Sequence, residues 1–421
     1  MALTRRDLLR GTMGSAAAIG LTGAARSLSP WASPRRGDAK AVGPAIADHQ
    51  CSAGADPTDQ RKLIIVVFGG GTRFSESVGD PGHRYIPRLW NEMVPRGALF
   101  TNMRVEGKVV HPNCTASMLT GHQEWQDVDW SKPVAHPTVF EIVRRTAAGG
   151  GPATSAADIA AWAFVYASIL AKVGESSAPG YGPAFAANVV EPPTIPRSTA
   201  DRIGRLMQEA AATGSPEAEL SAARQCAVLT RNTSRISGAG LRSEAARRFL
   251  DREYEAWKRG TGSTSHDLFL AERAIACMSE FAPTVLVVAF GEIDCAHYGS
   301  WSRYVEAIRR TDDLTWRLWK TAEELDAYRG RTFMLVLPDH GRQLDVAGGM
   351  GFIHHSDFYT GRDVDEGCRR VWMIAVGPGV SAGRQVDELL PSTAVAATGL
   401  EHLGLPASED AEPSVLQRMM A

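Results

Sequence analysis

No Cys-x-x-Cys pair occurs in the 421 residues; Cys51, Cys114, Cys226, Cys277, Cys295 and Cys368 are scattered. That spacing excludes a thiolate zinc ribbon and a dense disulfide framework. Haem and iron–sulfur spacings are missing as well, so nothing supports an electron-transfer role. A surplus of one charge is also lacking. The formal net charge is -2, which leaves no strong field to draw nucleic acid or an anionic membrane. No apolar run beyond the first residues is long enough for a membrane span. The triplet Gly69, Gly70, Gly71 is joined neither by a GxGxxG pattern nor by the lysine of a phosphate-binding loop, which argues against nucleotide cradling. No internal repeat is present.

What is there is a globular composition, 44% hydrophobic and 22% charged, in a chain long enough for a large core. The first 30 residues stand apart. "LTRRDLLRGTMGSAAAIGLTGAA" has a basic start, an Ala/Gly-rich apolar stretch and then small residues. That is the layout of an export signal of the twin-arginine type, with Arg5-Arg6 as the pair, and it implies a periplasmic or extracellular protein. Residues 31–60 read as a linker rich in Pro, Ala, Gly and charge. The folded part is expected over 61–421.

Short apolar runs alternate with amphipathic stretches. Strands are expected at Leu63 to Phe68, Ala98 to Val105, Thr284 to Phe290 and Met334 to Leu337, with another in "RRVWMIAVGPGV". Helices are expected around Arg88 to Met93, in "NCTASMLTG", in "HPTVFEIVRRTAA", from Tyr304 to Asp326 and in "PSTAVAATGLEHLGL". "IAAWAFVYASIL" is apolar throughout, so strand and helix cannot be separated there. A mostly helical insertion is expected around 176–280. The alternation predicts an α/β fold: a three-layer sandwich with a mostly parallel central sheet.

The polar residues gather at strand ends. The run Thr284 to Phe290 leads into Asp294 and His297, and Met334 to Leu337 leads into Asp339 and His340. His354, His355 and Asp357 precede the next strand. Strand ends in a parallel sheet are where open α/β folds place ligands. An oxygen and nitrogen donor set of this kind suits zinc or a similar divalent ion.

These stretches, in this order, resemble the alkaline phosphatase superfamily of sulfatases, nucleotide pyrophosphatases and metal-dependent mutases. "VVFGGG", "NCTASMLTG", "DCAHYGSWSRYVEAIRRTD", "LPDHG" and the "HH" ahead of "VWMIAVGPGV" carry the resemblance, which runs from Leu63 to about Leu405. It implies that Asp294 and His297, with His354 or His355, hold one ion. Asp339 and His340 would hold a second. The implied activity is metal-dependent hydrolysis of a phosphate or sulfate ester, with a small anionic ester as substrate and one or two ions, zinc foremost, as cofactor.

Two departures qualify that implication. Where the family's first strand ends in an aspartate, this chain has Gly70. Where its nucleophile stands, counted back from Thr120, this chain has His111. His111 then reads as a metal ligand, an acid/base, a nucleophile, or only a loop histidine at the helix cap. Glu76 is either the missing carboxylate or, more readily, a solvated loop residue. Arg73 and Arg342 lie beside motif residues as candidate anion partners. The alternative function is a non-catalytic relative that keeps part of the metal site and binds an anionic ligand.

Overall fold

A computed structural model describes residues 61–150, 155–167, 170, 172–233, 238–241, 243–259, 265–294, 301–344 and 366–420. Ten strands form one sheet: β1 Lys62–Val67, β2 Ala98–Arg104, β3 Ala161–Val165, β4 Asn188–Val190, β5 Gly238–Ala239, β6 Val285–Ala289, β7 Thr332–Leu337, β8 Arg370–Val376, β9 Arg384–Val386 and β10 Leu390–Pro391. The order is β10-β2-β8-β7-β1-β6-β3-β4-β5, with β9 also on β2. At the centre, β1 runs parallel to β7 and β6, and β6 parallel to β3. β8 is antiparallel to both β7 and β2, and β5 to β4. The sheet is therefore mostly parallel.

The central strands are apolar without alternation because both of their faces are covered. Leu63, Ile65 and Val67 of β1 face one core with Phe333, Leu335 and Leu337 of β7. Ile64, Val66, Met334 and Val336 face the other. On the first face lie α1 His111–Thr120, α2 Val139–Ala147 and α8 Ala394–His402, through Met118, Phe140 and Val395 among others. On the second lie α5 Glu244–Arg259, α6 His266–Phe281 and α7 Trp301–Glu324, through Phe249, Leu270 and Leu318. Each such side chain taken fully out of water contributes roughly 1.5–3 kcal/mol before entropy is counted. This is the three-layer α/β sandwich read from the sequence.

Local chemistry explains the boundaries. α2 begins with a capping box in which Thr138 and Glu141 satisfy each other's backbone amides. α1 starts after extended Val110, carries Pro112 in its first turn where no amide partner is needed, and stops at left-handed Gly121. The ambiguous apolar stretch contains β3. The helix expected near Arg88 is a single wide turn, Leu89–Met93, of the i to i+5 type. Residues 176–280 hold α3 Arg197–Thr213, α4 Pro216–Thr233, α5 and most of α6, and also β4 and β5, which extend the sheet. No helix among the described residues is long and apolar enough to cross a membrane. The signal and linker stretch 1–60 lies outside the described residues.

Candidate metal centre

Four neighbouring strands, β7, β1, β6 and β3, end at the same edge of the sheet, and α1 begins there. β1 runs into Phe68 and the glycines, β6 into a tight turn closed by the Asp294 amide on Gly291 O (3.1 Å), and β7 into Pro338, Asp339 and His340. The strand ends are tied together: Phe68 N donates to Leu337 O (2.8 Å), and Gly71 N to His340 O (3.1 Å). This is the carboxyl edge at which α/β sheets present functional groups.

His111, the first residue of α1, does not cap the helix. Its ring extends into the strand ends, where Nδ1 is 2.9 Å from Asp339 Oδ2 and Nε2 is 3.1 Å from Asp294 Oδ1. His340 Nε2 lies 3.1 Å from the same His111 Nδ1. Donor atoms of His111, Asp339 and His340, all buried, lie within 4.8 Å of one another. Asp294 is the open member, with a side chain 33% exposed. The structure thus brings together Asp294, Asp339, His340 and His111. His297, His354 and His355 lie outside the described residues.

The electrostatics follow from this packing. Burial would lower the His111 pKa, but the carboxylates of Asp339 and Asp294 on either side raise it to about 10. Burial works against charge on Asp339 too, yet His340 and His111 keep its carboxyl below the usual range. Burial pushes His340 down to about 4, so its ring is neutral. His340 Nδ1 faces Gly341 O at 2.9 Å, a bond only an N–H can make, so Nε2 presents its lone pair to His111 and Asp339. Two ring nitrogens and a carboxylate oxygen aimed at one another need a cation between them, a proton or a metal. A carbonyl-oriented neutral imidazole, a second imidazole and a carboxylate form a donor set of the kind that holds zinc. The residues fit the ion.

Other side chains complete the edge. Tyr166, just past β3, meets the His111 ring edge-on at 5.7 Å between centroids. It packs where residue 291 has no side chain: a Cβ on Gly291 would stand 2.1 Å from the Tyr166 ring. Asp267, in the first turn of α6, accepts from the amides of Gly291 (2.8 Å) and Glu292 (3.1 Å) and so holds the turn that carries Asp294. Sequence reading missed both residues. Tyr166 follows a strand end as Asp294 does, a signal hidden by the uniform apolarity before it. Asp267 stands in the first turn of a helix capped by Ser265, an ordinary place for an acid that carries no signal of a site.

Glu76 is not solvated, as the sequence suggested. It is 8% exposed and ion-paired with Arg73 and with Arg342, whose Nη2 lies 2.8 Å from Oε2. Arg73 and Arg342, which the sequence offers as candidate anion partners, are thus both ion-paired with Glu76. Arg342 also lies over the Tyr304 ring at 4.0 Å. The Tyr304 hydroxyl accepts from Arg73 N (3.0 Å) and donates to Gly71 O (3.1 Å). Through Tyr304 the cluster is tied to the glycine loop at Gly71.

No protein-family model matches this chain, and no curated protein matches it in sequence. Solved structures do. The chain is similar to Ps i-CgsB, solved in complex with k-i-k-neocarrahexaose, at 12% identity and a TM-score of 0.50, over 84% of this chain and 74% of that one. It is similar to the PsFucS1 sulfatase from Pseudoalteromonas sp. at 13% identity and a TM-score of 0.50, over 86% and 72%. A protein in the alkaline phosphatase superfamily from Vibrio parahaemolyticus is matched at 12% identity and a TM-score of 0.47, over 86% and 70%. At such identities the likeness shows the fold, which is that of the Pseudoalteromonas sulfatase.

Proposed function

We propose that this chain is a metal-dependent hydrolase of sulfate or phosphate esters. The observation that carries the reading is the convergence of Asp294, Asp339, His340 and His111 at the carboxyl edge of the sheet. The sulfatase fold of the similar structures supports it. His111, Asp339 and His340 would hold the ion, zinc foremost, with Asp294 alongside. When bound, a divalent ion supplies the charge that neutralises an ester's oxyanion and polarises the attacked centre. His340 is kept in the donor tautomer by Gly341 O. His111 is fixed by two carboxylates and shielded on one side by Tyr166. Asp294, the carboxylate that solvent reaches, is the group placed to take a proton from an attacking water. The substrate class is a small anionic ester.

The test is metal content by elemental analysis of the purified mature protein, with an Asp339→Ala, His340→Ala variant beside it, followed by a panel of phosphate and sulfate esters. One or two ions per chain, lost in the variant, together with turnover of at least one ester class, is the expected result. No bound metal after reconstitution with zinc or manganese would sink the reading. One observation favours a second reading: the residue that opens α1 is an imidazole engaged at both nitrogens, not a hydroxyl or thiol. Bound metal without turnover of any ester would assign the chain to anion binding instead. Export is part of the proposal and rests on the Arg5-Arg6 signal. Cell fractionation should find the protein outside the cytoplasm, and Arg5→Lys with Arg6→Lys should retain it inside.

A further inference from the structure

The three glycines after β1 are glycine for different reasons. Gly69 and Gly71 adopt φ of 90° and 84°, which side chains rarely tolerate. Gly70 is outside that region, and what it lacks is room. A Cβ there would stand 2.3 Å from Cε1 and 2.5 Å from Nδ1 of His111, and 2.5 Å from Nε2 of His340. The volume that a side chain at position 70 would fill is already filled by the ring of His111. That ring places its Nδ1 against Asp339 and His340, and His340 is also a group that a side chain at position 70 would meet.

We propose that positions 70 and 111 act as one unit: His111 delivers from the start of α1 the donor that β1 does not carry, and Gly70 is glycine in order to admit it. This deepens the metal-centre reading and rests on it. Both ring nitrogens of His111 are directed at carboxylates, so neither is aimed outward as an attacking nucleophile, and as a ligand the residue would exchange its Nδ1 proton for the ion. A carboxylate at position 70 and an imidazole at position 111 are alternatives for one place, and either is compatible with the site only when the other is absent.

The experiment is a double-mutant cycle read on zinc affinity by calorimetry and on thermal melting with and without zinc, so that no turnover is needed. The variants, in the full mature chain, are Gly70→Asp, His111→Ser and the two combined. His111→Ser should weaken zinc binding by at least the roughly 10–100-fold that loss of even an outer-shell partner costs. Gly70→Asp alone should lower the melting temperature even without zinc, because its side chain collides with the ring. The combined variant should melt above Gly70→Asp and regain zinc affinity to within about tenfold of the wild type, a strong non-additivity. A combined variant no better than Gly70→Asp in either readout would overturn the proposal. Gly70→Ala with and without His111→Ser repeats the steric half should the aspartate variant fail to fold. Absence of zinc binding in the wild type is a separate outcome: it would overturn the metal centre itself and the donor role of His111 with it.

Discussion

His111 Nδ1 and Asp339 Oδ2 are 2.9 Å apart although 228 positions separate the two residues in the chain. The contact exists only when the start of α1 and the end of β7 have both reached the same sheet edge, so it reports on the tertiary fold and not on either segment. It is also a charged pair out of water, with Asp339 1% exposed. Removing one member of such a pair leaves the other uncompensated and typically costs about 3–5 kcal/mol. Asp339→Asn should therefore lose about that much in urea unfolding of the chelator-treated protein. A loss below about 0.5 kcal/mol would mean that Asp294 alone suffices to hold the imidazolium.

The Arg342–Glu76 pair makes a parallel case behind the glycine loop. Arg342 contacts both Glu76 oxygens, at 2.8 and 3.1 Å, and lies over Tyr304. Arg342→Met should cost about 3–5 kcal/mol by removing one of the two arginines that compensate buried Glu76. Adding Glu76→Gln should recover part of it, with an interaction energy of roughly 0.5–3 kcal/mol. Arg342→Lys should fall between, since it keeps the charge but loses the planar guanidinium over the Tyr304 ring. Additive unfolding energies across the cycle would show that the pair is not coupled.

The sheet centre was legible in the sequence because strands covered on both faces read as short apolar runs, as β1, β6 and β7 do. The meeting of Asp294, Asp339 and His340 was legible for the related reason that parallel neighbours end at one edge. Strand direction carries no such signature, and nothing in "RRVWMIAV" says that β8 runs antiparallel. Glu76 looked solvated because its partner Arg342 is far away in sequence. The ring of His111 in the place of a side chain at position 70 was illegible for the same reason. Each position looked like a loss by itself, and the compensation is a distance between two loops.

Gly291 and Tyr166 offer a test of how the ring of His111 is kept in place. A methyl at position 291 meets the Tyr166 ring at 2.1 Å, and Tyr166 in turn abuts His111. Gly291→Ala should destabilise the fold by roughly 1–3 kcal/mol, as overpacking does, and loosen zinc binding through the displaced aromatic ring. Tyr166→Ala should relieve the clash, so the paired variant should unfold later than Gly291→Ala alone. If it unfolds earlier, the ring is not what the methyl displaces.

Asp312 links stability to pH at a distance from the centre. Its carboxylate accepts from the amides of Arg88 (2.9 Å) and Leu89 (2.8 Å), which fastens the Leu89–Met93 turn to α7. Burial nevertheless outweighs those bonds and raises its pKa from 3.8 to about 7. Between about pH 4 and 7 the folded protein binds a proton that the unfolded chain has released, so this group's contribution falls as pH rises through that window and is level above it. The span corresponds to roughly 4 kcal/mol at most. Asp312→Asn has no such titration. Its stability relative to the wild type should therefore improve steadily from about pH 4 to 7 and then stay constant, as followed by urea unfolding at a series of pH values. A difference that is flat across that window would mean the two amides hold the carboxylate ionised throughout, and that burial is the weaker of the two effects.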